Sequence, residues 1–153
     1  MESLSEDLEV HRRFGAQLFN DTWDLIDKAD RRDADDDQML LAAMASRWHW
    51  GQVGTAEQVA TGDWQVAHVF GLVGYAAVAV RFARHHLATA TAEGWDGWRL
   101  ASAHEGMARA FAVAGDGSGR AAQMAAAEAA LAREPDAEDG DAIAAQLATV
   151  PPV

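Results

Sequence analysis

AHVFGLVG, residues 67–74, is followed 41 residues later by the similar stretch ARAFAVAG, residues 108–115. Each copy has a small residue first, an aromatic residue three positions later and a glycine four positions after that. In a helical hairpin, the small residue lets a second helix approach, the ring fills the space between helices, and the glycine ends the helix in a left-handed conformation. The repeat therefore predicts two helix–turn–helix units, at approximately 56–93 and 96–133.

The rest of the chain also has a helical pattern. Alanine is abundant, no stretch alternates at period two, and proline occurs only at 135, 151 and 152. Apolar residues spaced three and four apart predict seven helices. Their predicted ranges are 4–28, 35–53, 56–73, 75–93, 96–114, 120–133 and 137–148. We expect a single all-α domain over residues 1–150, built from antiparallel hairpins, and a frayed tail at 151–153.

The hairpin pattern resembles the tetratricopeptide repeat over roughly residues 56–133, through its small-x-x-aromatic core and its turn glycine. The resemblance implies a right-handed stack of antiparallel helix pairs, in which the first helix of each pair lines a concave surface. The chain departs from that pattern in three ways. Its period is 41 residues, against about 34 in the family, Trp64 lies one position from the expected tryptophan, and the turn after Gly115 has one extra residue.

The whole chain is also similar to a set of small bacterial all-helical proteins. That resemblance is carried by four segments: LFNDTW (18–23), ASRWHW (45–50), DWQ (63–65) and HEGMARAFAVAGD (104–116). It implies a helical fold and no particular activity.

Composition and charge limit the kinds of partner that the chain can bind. The net charge is -12 and Lys28 is the only lysine, so the chain repels phosphate backbones and we expect no nucleic-acid partner. The absence of cysteine excludes disulfides and thiol chemistry. The longest apolar run, 66–80, is shorter than the ~20 residues of a spanning helix, and the acidic N-terminus lacks a signal-peptide pattern. We therefore expect a cytoplasmic protein without a membrane partner.

The candidate site follows from the repeat. Trp64 and His68 are i,i+4 neighbours on one helix face. The 41-residue shift aligns them with Glu105 and Arg109. If the two units pack alike, these four side chains converge, and Trp98 extends the same surface. The alternative is an exposed Glu105–Arg109 ion pair, worth only ~0.5 kcal/mol, beside a half-exposed tryptophan and histidine.

The second predicted helix carries three adjacent rings, Trp48, His49 and Trp50. Trp48 shares a face with Leu41, and Trp50 shares the opposite face with Met39. Two apolar faces predict a helix packed between two neighbours. Trp50 is therefore a candidate for the pocket surface. His49 points between the faces, either as a semi-buried core histidine or as a ligand-binding or catalytic group.

Three functions are compatible with these residues. The first is a binding module that holds a small molecule or peptide in an aromatic and polar concave pocket, and it predicts that Trp64→Ala weakens binding while the fold persists. Its candidate ligand-binding residues are Trp50, Trp64, His68, Trp98, Glu105 and Arg109. The second is a small metal-independent enzyme using acid–base chemistry, with His49, His68 and Glu105 as candidate catalytic residues. The third is a structural homo-oligomer, such as a homodimer, that associates through the alanine-rich segment 121–132.

No motif in the sequence predicts a cofactor or a metal site. HEGMA, residues 104–108, begins like a zincin motif, but Ala108 stands where the second histidine ligand is required. GDGSGR, residues 115–120, lacks the lysine and hydroxyl residue of a phosphate-binding loop. We therefore expect neither a metal nor a cofactor.

Overall fold

The computed structural model describes residues 2–153, with side chains from residue 4 onward. Within this range the chain folds into helices and turns without a strand, which confirms the all-α prediction. The predicted helix boundaries lie within three residues of the observed ones. The seven helices of the described chain are α1 (Glu2–Ile26), α2 (Asp33–Val53), α3 (Ala56–Val73), α4 (Ala76–Ala92), α5 (Gly97–Val113), α6 (Gly117–Leu131) and α7 (Ala137–Ala148).

Consecutive helices pack against each other as hairpins. The pairs α1–α2, α3–α4 and α5–α6 have the most extensive contacts, and the α2–α3 and α4–α5 contacts join one hairpin to the next. The first helices of the two predicted repeat units, α3 and α5, also pack directly together. Because α7 contacts α5 as well, α5 lies at the centre of the C-terminal half.

The two copies of the repeat end their helices in the same way. Gly74 and Gly115 adopt positive φ angles of 91° and 73°. The residue after each glycine donates its N–H to the carbonyl of Phe70 or Phe111, at 2.9 Å in both copies. Both rings pack against the same buried cluster between the helices. The helix-ending role predicted for the glycines and the space-filling role predicted for the rings are therefore confirmed.

Small side chains make up most of the buried core. Of the nineteen buried apolar residues in the described chain, twelve are alanines. Alanine allows helix axes to approach closely but fills little volume. None of the six tryptophans is fully buried. A protein packed in this way has little room for indole rings inside its helix contacts and more room beside them.

The α1–α2 contact depends on a glycine. The Ser46 hydroxyl donates to the carbonyl oxygen of Gly15 at 2.7 Å. The indole of Trp50 lies so close to Gly15 that a Cβ added there would be 2.9 Å from its Cε2 atom. α2 does lie between α1 and α3, as predicted. However, Leu41 and Trp48 are 65% and 58% exposed, so the expectation that this second face packs as core is wrong.

The C-terminal residues 151–153 are not helical. Arg120 of α6 donates from Nε to the carbonyl oxygen of Pro151 at 2.6 Å, and from Nη2 to that of Val150 at 3.3 Å. The chain end is thus held against α6. Among the described helices, none combines the length and the continuous apolar character needed to cross a bilayer.

Substituting Gly15 with alanine is expected to lower the free energy of unfolding by about 1–3 kcal/mol, because the new methyl group overlaps the Trp50 ring. Gly71→Ala is the matched control, since its Cβ would lie 3.8 Å from the nearest atom, on Val113. That substitution should stabilise by about 0.5–1 kcal/mol, the usual gain for alanine over glycine within a helix. Urea unfolding measures both, and equal stabilisation by the two would contradict the close contact at Gly15.

Candidate functional site

A cavity of about 240 Å³ lies between α1, α3, α4, α5 and α7, partly open to solvent. Its surface is mainly apolar, and it includes four of the six tryptophans of the chain. We call it the aromatic cavity. Its aromatic residues are Phe19, Trp23, Trp64, Trp95 and Trp98, and its other lining residues are Glu57, Thr61, His86, Arg99, Ser102, Ile143 and Gln146.

The turn between α4 and α5 positions two of the rings. Gly94 has a φ of 67°, and the N–H of Trp95 donates back to the carbonyl oxygen of Ala90 at 2.9 Å, which fixes the start of the turn. The N–H of Trp98, in the first turn of α5, donates to a Glu134 carboxylate oxygen at 2.8 Å. A carboxylate at the N-terminus of a helix is also stabilised by the positive end of the helix dipole. The main chain at both tryptophans is therefore held in place by hydrogen bonds next to the cavity.

Two sides of the aromatic cavity are related by the internal repeat. The residues that α3 contributes and the corresponding residues of α5 differ by 41 positions. The aligned pairs are Glu57 with Trp98, Thr61 with Ser102, and Trp64 with Glu105. Five of these six residues line the cavity, and the sixth, Glu105, lies beside Trp64. The repeat thus places equivalent helix faces on opposite sides of one space.

Trp64 is at the centre of a group of rings. Its indole stacks on His68 at a centroid distance of 5.0 Å and an angle of 15°, and on Trp23 of α1 at 5.6 Å and 25°. Trp23 was not among the site residues predicted from the sequence. A local signal was present, because Phe19 and Trp23 are i,i+4 neighbours, but nothing in the sequence indicated that this face of α1 covers α3. Gln65 secures the contact by donating from Nε2 to the carbonyl oxygen of Phe19 at 3.0 Å.

Glu105 and Arg109 form a buried ion pair. Arg109 Nη2 is 2.6 Å from Glu105 Oε1. The Arg109 side chain is 13% exposed and the Glu105 side chain 2%. The alternative of an exposed surface pair is therefore wrong. Arg109 also donates to Thr149 Oγ1 at 2.8 Å and to the carbonyl oxygen of Gln146 at 3.3 Å. The guanidinium thus joins α5 to the C-terminal end of α7, and its donors are used within the protein.

Burial controls the protonation of the groups around this ion pair. It raises the pKa of Glu105, an effect that the Arg109 charge only partly opposes. The second carboxylate oxygen, Oε2, has no hydrogen-bond partner among the described residues. Burial also lowers the pKa of His68 to about 4, with Arg109 and Arg31 adding to the effect. His68 is therefore neutral at pH 7.

His86 is the most deeply buried polar group on the cavity surface. It is 7% exposed, and it makes no hydrogen bond with any described residue. Burial lowers its pKa to about 4, so the ring is neutral at pH 7. Gln146 also has a buried Oε1 atom that no described residue contacts as a hydrogen-bond partner. A buried polar group without a partner is costly, and such groups on a cavity surface are candidates for ligand contacts.

A charged pair lies at the edge of the aromatic cavity. Arg99 Nη2 is 3.1 Å from Glu57 Oε1, so the pair connects α5 to the first turn of α3. The Arg99 guanidinium also lies over the rings of Trp95 and Trp98, at 5.6 and 5.5 Å from their centroids. Neither charged residue was predicted from the sequence, because the two are 42 positions apart and become neighbours only through the packing of α3 on α5.

Of the predicted ligand-binding residues, Trp64 and Trp98 line the aromatic cavity. The three other predicted residues of the repeat faces, His68, Glu105 and Arg109, adjoin Trp64 or one another but are absent from the cavity lining. Trp50 lies on a neighbouring, more open cavity of about 430 Å³. Phe19, Glu57 and Thr61 line both cavities, so the two spaces adjoin.

His49 lies apart from the aromatic cavity, at the α1–α2 contact. Its Nδ1 is 2.8 Å from the Nδ1 of His11, and its ring stacks on Phe14 at a centroid distance of 5.5 Å. Burial, and then the proximity of His11, lower the pKa of His49. The short distance between the nitrogens requires one neutral ring as acceptor. The structure therefore places His49 in a second, separate group of rings.

No group of three or more histidine or acidic side chains within the described residues is arranged to hold a metal ion. The chain matches no family model, no curated protein and no solved structure. The function is therefore inferred from the geometry of the aromatic cavity itself.

The low pKa values of His68 and His86 predict acid sensitivity. In the folded protein both histidines stay neutral down to about pH 4. In the unfolded chain they take up protons near their ordinary pKa of 6.5. The free energy of unfolding should therefore fall between pH 7 and pH 5, by about 2 kcal/mol for each histidine. The raised pKa of Glu105 acts in the opposite sense and offsets part of this loss, because the folded protein protonates first.

Urea unfolding across this pH range measures the effect. His86→Gln should reduce the slope of stability against pH, because it removes one of the two groups. His85→Gln, at the exposed neighbouring position on the same helix, is the matched control for replacing a histidine there by glutamine. A slope that is the same in the wild-type protein and in His86→Gln would contradict the assignment.

Removing Arg109 is expected to be strongly destabilising, because it leaves the Glu105 carboxylate buried without its partner. Arg109→Met should cost about 3–5 kcal/mol, and adding Glu105→Gln should recover part of that loss. Arg133→Met is the matched control, because its pair with Asp96 is more than half exposed and its loss should be much smaller. Equal losses for the two arginine variants, measured by urea unfolding, would be inconsistent with a buried pair.

Proposed function

We propose that this chain is a binding module, a tetratricopeptide-like helical stack that holds a small molecule or a peptide side chain in the aromatic cavity. The observation that carries the proposal is the convergence of five aromatic side chains, from α1, α3, the α4–α5 turn and α5, around a space of about 240 Å³. Rings that served only as core packing would leave no such space between them.

The composition of the cavity surface supports binding. Ligand sites are mostly apolar, with a few polar groups that orient the ligand, and they usually enclose about 300–1,000 Å³. The aromatic cavity has this character and is slightly smaller, which favours a small ligand. His86 and Gln146 supply polar atoms that lack partners among the described residues. Glu57 and Arg99 add charge at the edge.

The geometry favours binding over acid–base catalysis. The candidate catalytic residues were His49, His68 and Glu105, and none of the three lines the aromatic cavity. His68 and Glu105 lie beside Trp64, where they position its indole, and His49 is paired with His11. A general acid or base has to reach the proton that it transfers, directly or through one water. The surface that a ligand would contact is instead mainly apolar.

Screening small aromatic compounds by saturation-transfer NMR tests the proposal. Compounds that bind the wild-type protein should lose about ten-fold or more in affinity with Trp64→Ala and with Trp95→Ala, since each removes one face of the cavity. Trp48→Ala should bind normally, because that ring is 58% exposed on α2 and does not line the cavity.

Circular dichroism should show that all three variants retain their helices. Trp95 is the decisive position, because it lies in a turn and is not part of a hydrophobic core cluster. If ligands bind Trp95→Ala and Trp48→Ala with equal affinity, the aromatic cavity is not the binding site.

A further inference from the structure

The aromatic cavity already contacts a cation, which the chain itself supplies. The guanidinium of Arg99 lies over the faces of Trp95 and Trp98, at 5.6 and 5.5 Å from their centroids. It pairs at the same time with Glu57, at 3.1 Å. Two indole faces and one carboxylate therefore converge on a single positive charge. Indole faces attract cations because of their electron-rich π systems.

This internal contact is weak enough to be displaced. The side chains of Arg99 and Glu57 are 39% and 52% exposed, so solvent screens their attraction. Exposed ion pairs contribute little to stability, because each long side chain loses conformational freedom when the pair forms. A ligand cation that enters the cavity can therefore replace the guanidinium at Glu57, while Arg99 turns out to solvent.

The remaining polar groups on the cavity surface favour a hydrogen-bond donor. Glu57 offers a carboxylate, and the neutral ring of His86 has one acceptor nitrogen. Gln146 Oε1 has no hydrogen-bond partner among the described residues. The net charge of -12 attracts positively charged molecules and repels negatively charged ones. A carboxylate ligand would meet that repulsion, and Glu57 would lie beside it.

Resting on the proposed function, we infer that the ligand of the aromatic cavity is a protonated amine on a small apolar body. Its ammonium group takes the place of the Arg99 guanidinium, between Glu57 and the faces of Trp95 and Trp98. Its apolar body lies against Trp64 and Trp23. Arg99 is then a specificity-determining residue, because any ligand has to compete with it.

Three probes with the same ring and different charge test the inference. They are 2-phenylethylamine, 2-phenylethanol and 3-phenylpropionate, titrated by calorimetry and NMR at neutral pH, and then the corresponding indole series. The amine is expected to bind at least about five-fold more tightly than the alcohol, and the propionate most weakly. High salt should reduce the advantage of the amine.

Two variants should change the affinity for the amine in opposite directions. Glu57→Gln should reduce binding of the amine to the level of the alcohol, because the carboxylate is lost. Arg99→Gln should tighten binding of the amine, because the competing cation is lost. Glu128→Gln is the matched control, because it removes one negative charge from an exposed position on α6, which does not line the cavity. It should leave all three affinities unchanged.

The outcomes separate the inference from the proposed function. If the alcohol binds as tightly as the amine, or if the propionate binds best and Arg99→Gln abolishes its binding, the inference is overturned and the binding function stands. If no probe of either series binds, the proposed function fails, and the inference fails with it. Tight binding of the amine that is unaffected by Glu57→Gln would also overturn the inference.

Discussion

A buried carboxylate requires a cation close to it. In this protein the buried pair of Glu105 and Arg109 lies where α3, α5 and α7 meet. Glu105 is 1% exposed in the middle of α5. Its partner Arg109, one turn further along, is held in place by Thr149 and Gln146 at the end of α7. Hydrogen bonds from a charged group are stronger than those between neutral groups, so α7 loses this stabilisation if it leaves α5. The pair also lies beside Trp64, so the largest ring on α3 is placed against the same point.

The aromatic cavity is a consequence of how the helices pack. Alanines at the contacts, such as Ala67, Ala79 and Ala108, bring the helices close together and leave no space for an indole between them. The rings of Trp23, Trp64, Trp95 and Trp98 therefore lie beside these contacts, around the aromatic cavity. The same small-residue pattern that holds the hairpins together thus produces the space beside them.

Much of the fold could be predicted from the sequence, because it depends on local signals. Gly74 and Gly115 end their helices as predicted, and the repeat places α3 beside α5. The surroundings of Trp64 were predicted in part, since the shift of 41 residues aligned it with Glu105. Trp23, Glu57 and Arg99 were missed because each belongs to the site only through contacts between distant helices. The exposure of Trp48 was missed for the same reason, since an apolar helix face does not show which neighbour covers it.

Gln146 connects the two main features of the structure. Its side chain lines the aromatic cavity, and its carbonyl oxygen accepts a hydrogen bond from the arginine of the buried ion pair. A molecule that orders this side chain therefore acts on the same residue that anchors α7. Thermodynamic coupling of this kind is reciprocal. If an occupied cavity stabilises the packing of α7 on α5, then that packing strengthens ligand binding by the same free energy. Under the proposed function, the C-terminal helix therefore takes part in the binding equilibrium, although it contributes only two residues to the cavity surface.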